Sequence, residues 1–242
     1  MLFETVNELI VLKYATFSPG LYFGKLNKVK HFSIWHVALP FCLVLLNGFA
    51  KIIEIGGYMK ITYITGNKDK VAVAKLFLEP LGFEIDNRKI DCPEIQADDF
   101  ESIAKFSSKY ASDLLGCATL KNDSGLVVPA LKGFPGPYTH YAEDTIGEDG
   151  LLKLMEGVEN REAYYVECLC YTEPGKEPVC FSTKTYGSIA LEKSGEYGWS
   201  WDFVFIPKGK DKPMACYPDD ERYAMWGRDA YMQLAQYLKN LK

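Results

Sequence analysis

The strongest constraint on the fold is a strand–turn–helix–strand pattern in residues 61–90. Residues 61–64 form a short β-branched and aromatic run, and the turn residues Thr65-Gly66-Asn67 follow it. Apolar residues then recur at helical spacing, at Val71, Ala74, Leu78 and Leu81. Gly82 is placed to end this helix, and residues 83–90 are a second strand. Such an order is typical of an α/β protein.

The rest of the chain predicts more strands and helices of the same kinds. We expect a helix over residues 99–115, with an apolar face formed by Ile103, Phe106, Tyr110 and Leu114. Extended segments at 117–122 and 126–128 flank a turn at Asp123-Ser124-Gly125. The remaining segments are a helix over 138–155 with a break near Gly147, long antiparallel strands at 163–171 and 179–191, a short strand at 203–206 and a helix over 229–241. Together these segments predict a mixed-sheet α/β protein.

The first 58 residues differ in composition from the rest. They contain five Lys and Arg and three Asp and Glu residues, a net charge of +2, whereas residues 59–242 carry a net charge of −7. Residues 32–50 are mostly apolar but are interrupted by His36, Pro40 and Asn47, so they are short for a membrane span. They are also a poor signal peptide, because the apolar run begins late and no clear cleavage site follows.

We interpret residues 1–58 as a translated leader or non-native extension and residues 59–242 as the functional domain. The peptide Ile55-Gly56-Gly57 can be encoded by AUA-GGA-GGU, which contains the AGGAGGU of a bacterial ribosome-binding site just upstream of the Met59 codon. A strand pattern begins directly after Met59. A membrane anchor over residues 32–50 is the alternative. The nucleotide sequence of codons 55–59 tests the leader hypothesis, which requires a purine-rich run there.

Composition limits the chemistry that the chain can perform. A net charge of −5 argues against a nucleic-acid binder, which needs a broad basic face. The sequence has three histidines, of which we expect His140 to be partly buried and structural. It has no Gly-x-Ser-x-Gly, His-Glu-x-x-His or Walker-type motif. Its seven cysteines include no Cys-x-x-Cys pair, so we expect reduced thiols in a cytosolic protein. An enzyme of this composition works with carboxylates, lysines and a metal ion.

Three loops contain residue types suited to phosphate chemistry. Thr65-Gly66-Asn67-Lys68-Asp69-Lys70 offers backbone N–H groups and a lysine to an anion at a helix start, but it also fits a helix simply capped by Asn67. Asn122-Asp123-Ser124-Gly125 offers a carboxylate that can hold Mg²⁺ or orient a water, but it also suits a plain β-turn. Gly133-Phe134-Pro135-Gly136-Pro137-Tyr138 is a rigid loop for which we expect a structural role.

In this order and spacing the three loops resemble the motifs of the inosine triphosphate pyrophosphatase family. The family's Thr/Ser-Gly-Asn-x-x-Lys, Asp-Ser-Gly-Leu and Gly-Phe/Ala-Pro-Gly-x-Tyr segments match residues 65–70, 123–126 and 133–138. The resemblance implies an elongated mixed β-sheet flanked by helices in two lobes, with an active-site cleft between the lobes. It also implies hydrolysis of ITP, dITP and XTP to the monophosphate and pyrophosphate by a cytoplasmic homodimer that binds no nucleic acid and, unless residues 32–50 are an anchor, no membrane.

The resemblance assigns roles to particular residues. Asp123 corresponds to the family's catalytic base and metal ligand, and Glu94 to the second ligand of Mg²⁺. Lys105 matches a family lysine that meets the phosphates, and Trp199 would stack on the purine. The implied substrate-binding set is Thr65, Gly66, Asn67, Lys68, Asp69, Lys70, Lys105, Ser124, Trp199, Ser200, Trp201, Asp202 and Arg228.

Two departures from the family pattern affect these expectations. Asn122 stands where the family usually has a second acidic residue, so the metal site has one charge fewer. The family's Ser-His-Arg is absent; Trp226 and Arg228 are candidates for its histidine and arginine, and Arg222 for the lysine before it. Two alternatives therefore stay open: a nucleotide-binding relative without turnover, and a pyrophosphatase with shifted base specificity.

Overall fold

The computed structural model describes residues 41–46, 49–54 and 59–241. The chain divides into two units, Met1–Gly56 and Gly57–Lys242. In the first, β1 (Phe41–Leu46) pairs antiparallel with β2 (Phe49–Glu54). The described part of the apolar segment is therefore extended, and no helix among the described residues is long and apolar enough to cross a membrane. The leader and anchor hypotheses rest mostly on residues outside the described ones and stay predictions.

The second unit is built on a mixed sheet of six strands within the described residues. These are β3 (Met59–Ile64), β4 (Phe83–Arg88), β5 (Thr119–Val127), β6 (Glu162–Thr172), β7 (Val179–Ile189) and β8 (Phe205–Pro207). Their order is β4-β3-β5-β6-β7-β8. β3 pairs in parallel with β4 and β5, and the later pairs are antiparallel. The predicted mixed sheet is confirmed.

Helices cover the sheet in the described part of this unit. They are α1 (Lys68–Leu78), α2 (Phe100–Leu115), α3 (Thr139–Thr145), α4 (Gly147–Leu154), α5 (Asp219–Ala224) and α6 (Arg228–Asn240). After a short 3₁₀ turn, the α1 segment ends at Gly82, whose φ of +89° is the left-handed conformation that favours glycine. The helix starts and stops read from the sequence are thus confirmed to within a few residues.

The predicted apolar face of α2 is wrong. Ile103 is buried, but Phe106, Tyr110 and Leu114 are 41%, 37% and 57% exposed. The buried face carries small residues instead, and the Ser108 hydroxyl donates to the Cys170 carbonyl at 2.9 Å. Small side chains let the helix approach β5 and β6 closely, so packing distance rather than hydrophobicity selects the buried face.

The predicted turn at Asp123-Ser124-Gly125 is also wrong, because β5 runs straight through it. Every residue from Thr119, opposite Thr172, to Val127, opposite Tyr164, is registered with β6. The ladder supplies the backbone groups of this segment with partners, which outweighs the local preference of Asp, Ser and Gly for a turn.

Gly125 is required by a close approach rather than by a turn. A Cβ atom there would lie 2.7 Å from the Gly136 carbonyl oxygen and 2.9 Å from the Thr139 side chain. The Thr139 hydroxyl in turn accepts a hydrogen bond from the Leu126 N–H at 3.0 Å. The glycine-rich loop before α3 therefore packs directly on the strand segment that carries Asp123.

Two large hydrophobic clusters and a smaller one between α2 and β6 form the core in the described part of this unit. The first packs α1 and α6 against the sheet and includes Tyr63, Leu120, Leu169 and Leu234. The second surrounds Trp201 and includes Leu126, Ala163 and Phe205. Since β5 and β6 contribute to both clusters, they join two lobes, as the family resemblance implies.

The expectation of reduced thiols is wrong for one pair of cysteines. Cys170 and Cys180 form a disulfide between β6 and β7. The register of these strands places the two residues directly opposite each other. The sequence shows both cysteines but not the register that pairs them. Cys92, Cys117, Cys168 and Cys216 are free.

Leu234→Ala should destabilise the second unit by roughly 2–5 kcal/mol, because Leu234 is fully buried between α6 and the sheet and its truncation leaves a cavity. Urea unfolding followed by circular dichroism measures the loss. Gln233→Ala, at the exposed neighbouring position, is the matched control and should change stability by less than about 0.5 kcal/mol. Equal effects of the two substitutions would contradict this packing.

Candidate active site

A cavity of about 430 Å³ is lined by residues from both lobes. Its volume is in the range of small-molecule sites. The middle of β5 supplies residues 122–125, the loop after β3 supplies residues 65–67, and the segment before β8 supplies Trp199. The predicted site residues that line it are Thr65, Gly66, Asn67, Lys70, Glu94, Asp123, Ser124, Trp199, Ser200 and Asp202. Residues distant in sequence are thus brought together in one site.

The structure places the other predicted residues outside this cavity. Lys68 and Asp69 line an adjoining groove. Lys105 lies on the surface of α2, where its ammonium is 2.5 Å from the Glu101 carboxylate. Trp201 is 1% exposed and packs in the second core cluster, and Arg228 is an exposed residue at the start of α6.

Asn67 holds the loop at the start of α1. Its Oδ1 accepts hydrogen bonds from the N–H groups of Asp69 at 2.8 Å and Lys70 at 3.2 Å. The capped-helix interpretation is therefore confirmed, and two of the amides expected to meet an anion are already occupied. The side chain of Lys70 lines the cavity and is the main cationic contribution of this loop.

Asp123 is a poorly solvated carboxylate. Its Oδ1 accepts a hydrogen bond from the Ser124 N–H at 3.1 Å, while Oδ2 is buried and has no partner. Burial raises the pKa of Asp123 to about 6, Lys70 opposes this rise, and the nearby charge of Glu94 adds to it. Glu94 is exposed and 29 residues away in sequence, but it lies near Asp123 and lines the same cavity.

The charges that line the cavity are unbalanced. Its carboxylates outnumber its ammonium groups: Glu94, Asp123, Glu143, Glu167 and Asp202 against Lys70 and Lys121. A triphosphate entering alone would meet net repulsion. A hard divalent cation prefers carboxylate oxygens as ligands. The lining supplies several of them, including the unpartnered Oδ2 of Asp123, so the residues present fit such an ion.

Aromatic rings line the cavity beside the segment that precedes β8. Trp199 and Trp226 pack edge to face, with ring centroids 4.9 Å apart. Between Trp199 and the buried Trp201, Ser200 has a φ of +54°, an unusual conformation for a residue with a side chain. Flat indole surfaces of this kind suit a purine ring.

A buried arginine braces this segment. Arg222 is 1% exposed, and its guanidinium lies 2.9 Å from the Asp202 carboxylate and 2.8 Å from that of Asp219. It also lies 3.5 Å from Asp69 at the start of α1. Burial raises the pKa of Asp202 to about 7, although Arg222 opposes the rise. Arg222, which the sequence offered only as a replacement for a family lysine, therefore links the segment before β8 to the start of α1.

Sequence reasoning missed Glu167 and misjudged His140. Glu167 projects from β6 into the cavity, and the only signal was a carboxylate inside an otherwise apolar strand. We expected a partly buried, structural His140, but its side chain is 84% exposed at the cavity edge, near Glu143 and Asp144. The sequence around His140 did not indicate whether its side chain is buried or exposed.

The sequence profile of the Ham1 family matches residues 61–237. The chain belongs to this family. The dITP/XTP pyrophosphatase of Methanopyrus kandleri is 42% identical over 183 residues, which cover 75% of this chain and 97% of the relative. That of Pyrococcus horikoshii is 40% identical over 186 residues, 76% of this chain and 100% of the relative.

Solved Ham1 structures share the fold. The Staphylococcus aureus Ham1 protein aligns with a TM-score of 0.64 at 26% identity and covers 76% of this chain and 100% of its own. A HAM1 protein from Coxiella burnetii gives a TM-score of 0.65 at 23% identity, with 75% and 99% covered. The expected family and fold are therefore confirmed, and the matched range of this Ham1 member contains every predicted site residue.

Asp123→Asn should stabilise the metal-free protein above pH 6. Since the pKa of Asp123 is raised to about 6 in the folded state, ionisation costs folding free energy as the pH rises from about 4 to 6. The cost is absent below that window and constant above it, so the gain at pH 8 is up to about 3 kcal/mol. Urea unfolding in EDTA at pH 4 and pH 8 measures it. Asp229→Asn, at an exposed site, is the control. A gain confined to pH 4 would contradict the assigned environment.

Proposed function

We propose that this chain is a Mg²⁺-dependent nucleoside-triphosphate pyrophosphatase that hydrolyses ITP, dITP and XTP to the monophosphate and pyrophosphate. The observation that carries the proposal is one cavity lined by carboxylates, by Lys70 and by a pair of tryptophans. The names of its relatives, dITP/XTP pyrophosphatases at 40–42% identity, support the same substrate class.

Asp123 is the residue we propose to act on the attacking water. Its partly desolvated carboxylate has one orphaned oxygen, and its pKa of about 6 leaves it ionised and basic at neutral pH. The water oxygen bonds to the α-phosphorus while Asp123 takes its proton, and the bond from the α-phosphorus to the bridging oxygen breaks. Pyrophosphate leaves, and Lys70 offsets the charge that develops on the phosphates.

Glu94 and Asp123 are the residues we propose to hold Mg²⁺. When bound, the cation would neutralise phosphate charge and offset the excess of carboxylates in the lining. This excess explains why substrate binding would depend on the cation and not on lysines alone.

Trp199 and Trp226 are the residues we propose to hold the purine. Stacking on an aromatic ring contributes roughly 1–3 kcal/mol and does not distinguish purines from one another. Selection of hypoxanthine or xanthine over adenine requires hydrogen-bond donors that face O6, because adenine has an amino group there. We propose that the segment around Ser200 supplies them, since its strained backbone turns its amides differently from an ordinary turn.

The family resemblance also leads us to propose a cytoplasmic homodimer. Light scattering during size-exclusion chromatography tests the dimer. The exposed residues Phe106, Tyr110 and Leu114 on α2 are compatible with a subunit contact.

Incubation of the full-length chain with Mg²⁺ and ITP, dITP, XTP, ATP or GTP should yield pyrophosphate and the monophosphate of the first three. ATP should be turned over at least about tenfold more slowly, because the donors proposed to face O6 are left unpaired or clash with the amino group of adenine. GTP also carries O6, so these donors alone do not exclude it. Anion-exchange chromatography identifies the products. Release of orthophosphate would contradict the reaction, tight binding without products would favour a non-catalytic relative, and preference for another base would favour shifted specificity.

Asp123→Asn should lower kcat for dITP by roughly 100- to 10,000-fold, because the amide cannot accept the proton of the attacking water. Steady-state kinetics with saturating Mg²⁺ measures the loss, and circular dichroism confirms the fold. Asp229→Asn should retain the wild-type rate. An Asp123→Asn enzyme of wild-type activity would remove Asp123 from the mechanism.

A further inference from the structure

Glu167 is tied into a buried hydrogen-bonded network behind the cavity. The Tyr63 hydroxyl donates to Asn122 Oδ1 at 2.9 Å, and Asn122 Nδ2 donates to Glu167 Oε1 at 2.9 Å. The Tyr231 hydroxyl also lies 3.5 Å from Glu167 Oε1. Since Tyr63 and Tyr231 are at most 1% exposed, these donors are held rigidly by the core.

The backbone also holds the side chain of Glu167. A Cβ atom on Gly227 would lie 2.7 Å from Glu167 Cγ, and Gly227 has a φ of +55°. The stem of Glu167 therefore runs under the start of α6, and its carboxylate lines the cavity. Oε1 is engaged by Asn122, and Oε2 is not among the buried atoms without partners, so it is the oxygen open to the cavity.

The pair formed by Asn122 and Glu167 carries one negative charge, and this charge lies on Glu167. Asn122 is neutral, and its amide orientation is set because Tyr63 donates to its oxygen and Glu167 accepts from its nitrogen. Lys70 acts on the carboxylates of both Asp123 and Glu167, which places the two acids around the same ammonium group. Glu167 thus adds its charge to the end of the cavity that carries Asp123.

We propose that Glu167 is a third carboxylate of the cation site and that Asn122 positions it, an inference that rests on the proposed function. Glu94, Asp123 and Glu167 do not form a cluster with all ligand oxygens within 4.8 Å among the described residues. We therefore place Glu167 in the outer shell of the cation, where it would act through a bound water. Mg²⁺ and Mn²⁺ keep such waters, and outer-shell carboxylates contribute to affinity by orienting them.

The pairing of an amide with a carboxylate makes a reciprocal exchange possible. In the double variant Asn122→Asp/Glu167→Gln, the new amide at 167 can donate to the new carboxylate at 122, and Tyr63 still donates to it. The exchange keeps the side-chain volumes, the hydrogen bonds and the total charge. It moves the negative charge from residue 167 to residue 122, so it separates an electrostatic role of Glu167 from a purely structural one.

Calorimetric titration of the nucleotide-free full-length chain with Mn²⁺ tests the proposal. Glu167→Gln keeps an acceptor for Asn122 and should weaken Mn²⁺ binding roughly 10-fold, as expected for an outer-shell carboxylate. The double variant should recover an affinity within about threefold of the wild type, since it restores the charge. Glu162→Gln removes the same charge from an exposed position of β6 and should bind Mn²⁺ normally. Circular dichroism checks that each variant is folded.

Two results would overturn the proposal. One is wild-type Mn²⁺ affinity in Glu167→Gln, and the other is a loss that the double variant does not recover, which would mean a structural role only. If Glu167→Gln does not fold, Glu167→Asp keeps the charge on a shorter stem and should weaken binding by a smaller factor; unchanged affinity would again count against the proposal. Hydrolysis of dITP by the wild type is scored separately, so loss of the proposed function and loss of this inference are distinguishable.

Discussion

The continuous antiparallel pairing of β5 with β6 is the constraint on which the rest of the structure depends. It extends from Thr119, opposite Thr172, to Val127, opposite Tyr164, and carries both strands through both hydrophobic clusters. The lobes share strands and not merely a contact, so the cavity between them has rigid walls. Asp123 lies midway along this ladder, where its backbone is held and its carboxyl is only partly solvated.

A buried arginine also holds neighbouring segments of the chain in fixed positions. Arg222 contacts Asp69 at the start of α1 and Asp202 beside the tryptophans, so one guanidinium holds the start of α1 and the segment before β8 together. Removing one partner of a buried ion pair typically costs about 3–5 kcal/mol, because the other charge is left uncompensated.

The ionised carboxylates of the candidate site lower the stability of the folded protein when no ligand is bound. Its carboxylates outnumber its lysines, and Asp123 has a pKa of about 6 because ionisation in this environment is unfavourable. Such a site gains most from a cation with bound phosphate, because the ligand removes the repulsion that the empty protein carries. The Asn122–Glu167 pair follows the same logic, since a second carboxylate at 122 would have faced Glu167 at hydrogen-bond distance.

The sequence by itself determined the α/β class, the start of α1 at Asn67 and the family, because local spacing and motif order carry that information. It did not reveal that Asp123 lies within a strand, that α2 buries serines and alanines, or that Cys170 meets Cys180. Those outcomes depend on strand register and on the distance between α2 and the sheet, which arise only when β6 pairs with its neighbours. The contacts of Glu167 with Asn122 and of Arg222 with Asp202 were likewise decided by the tertiary structure, since these partners lie 45 and 20 residues away and no local pattern identifies a buried charge partner.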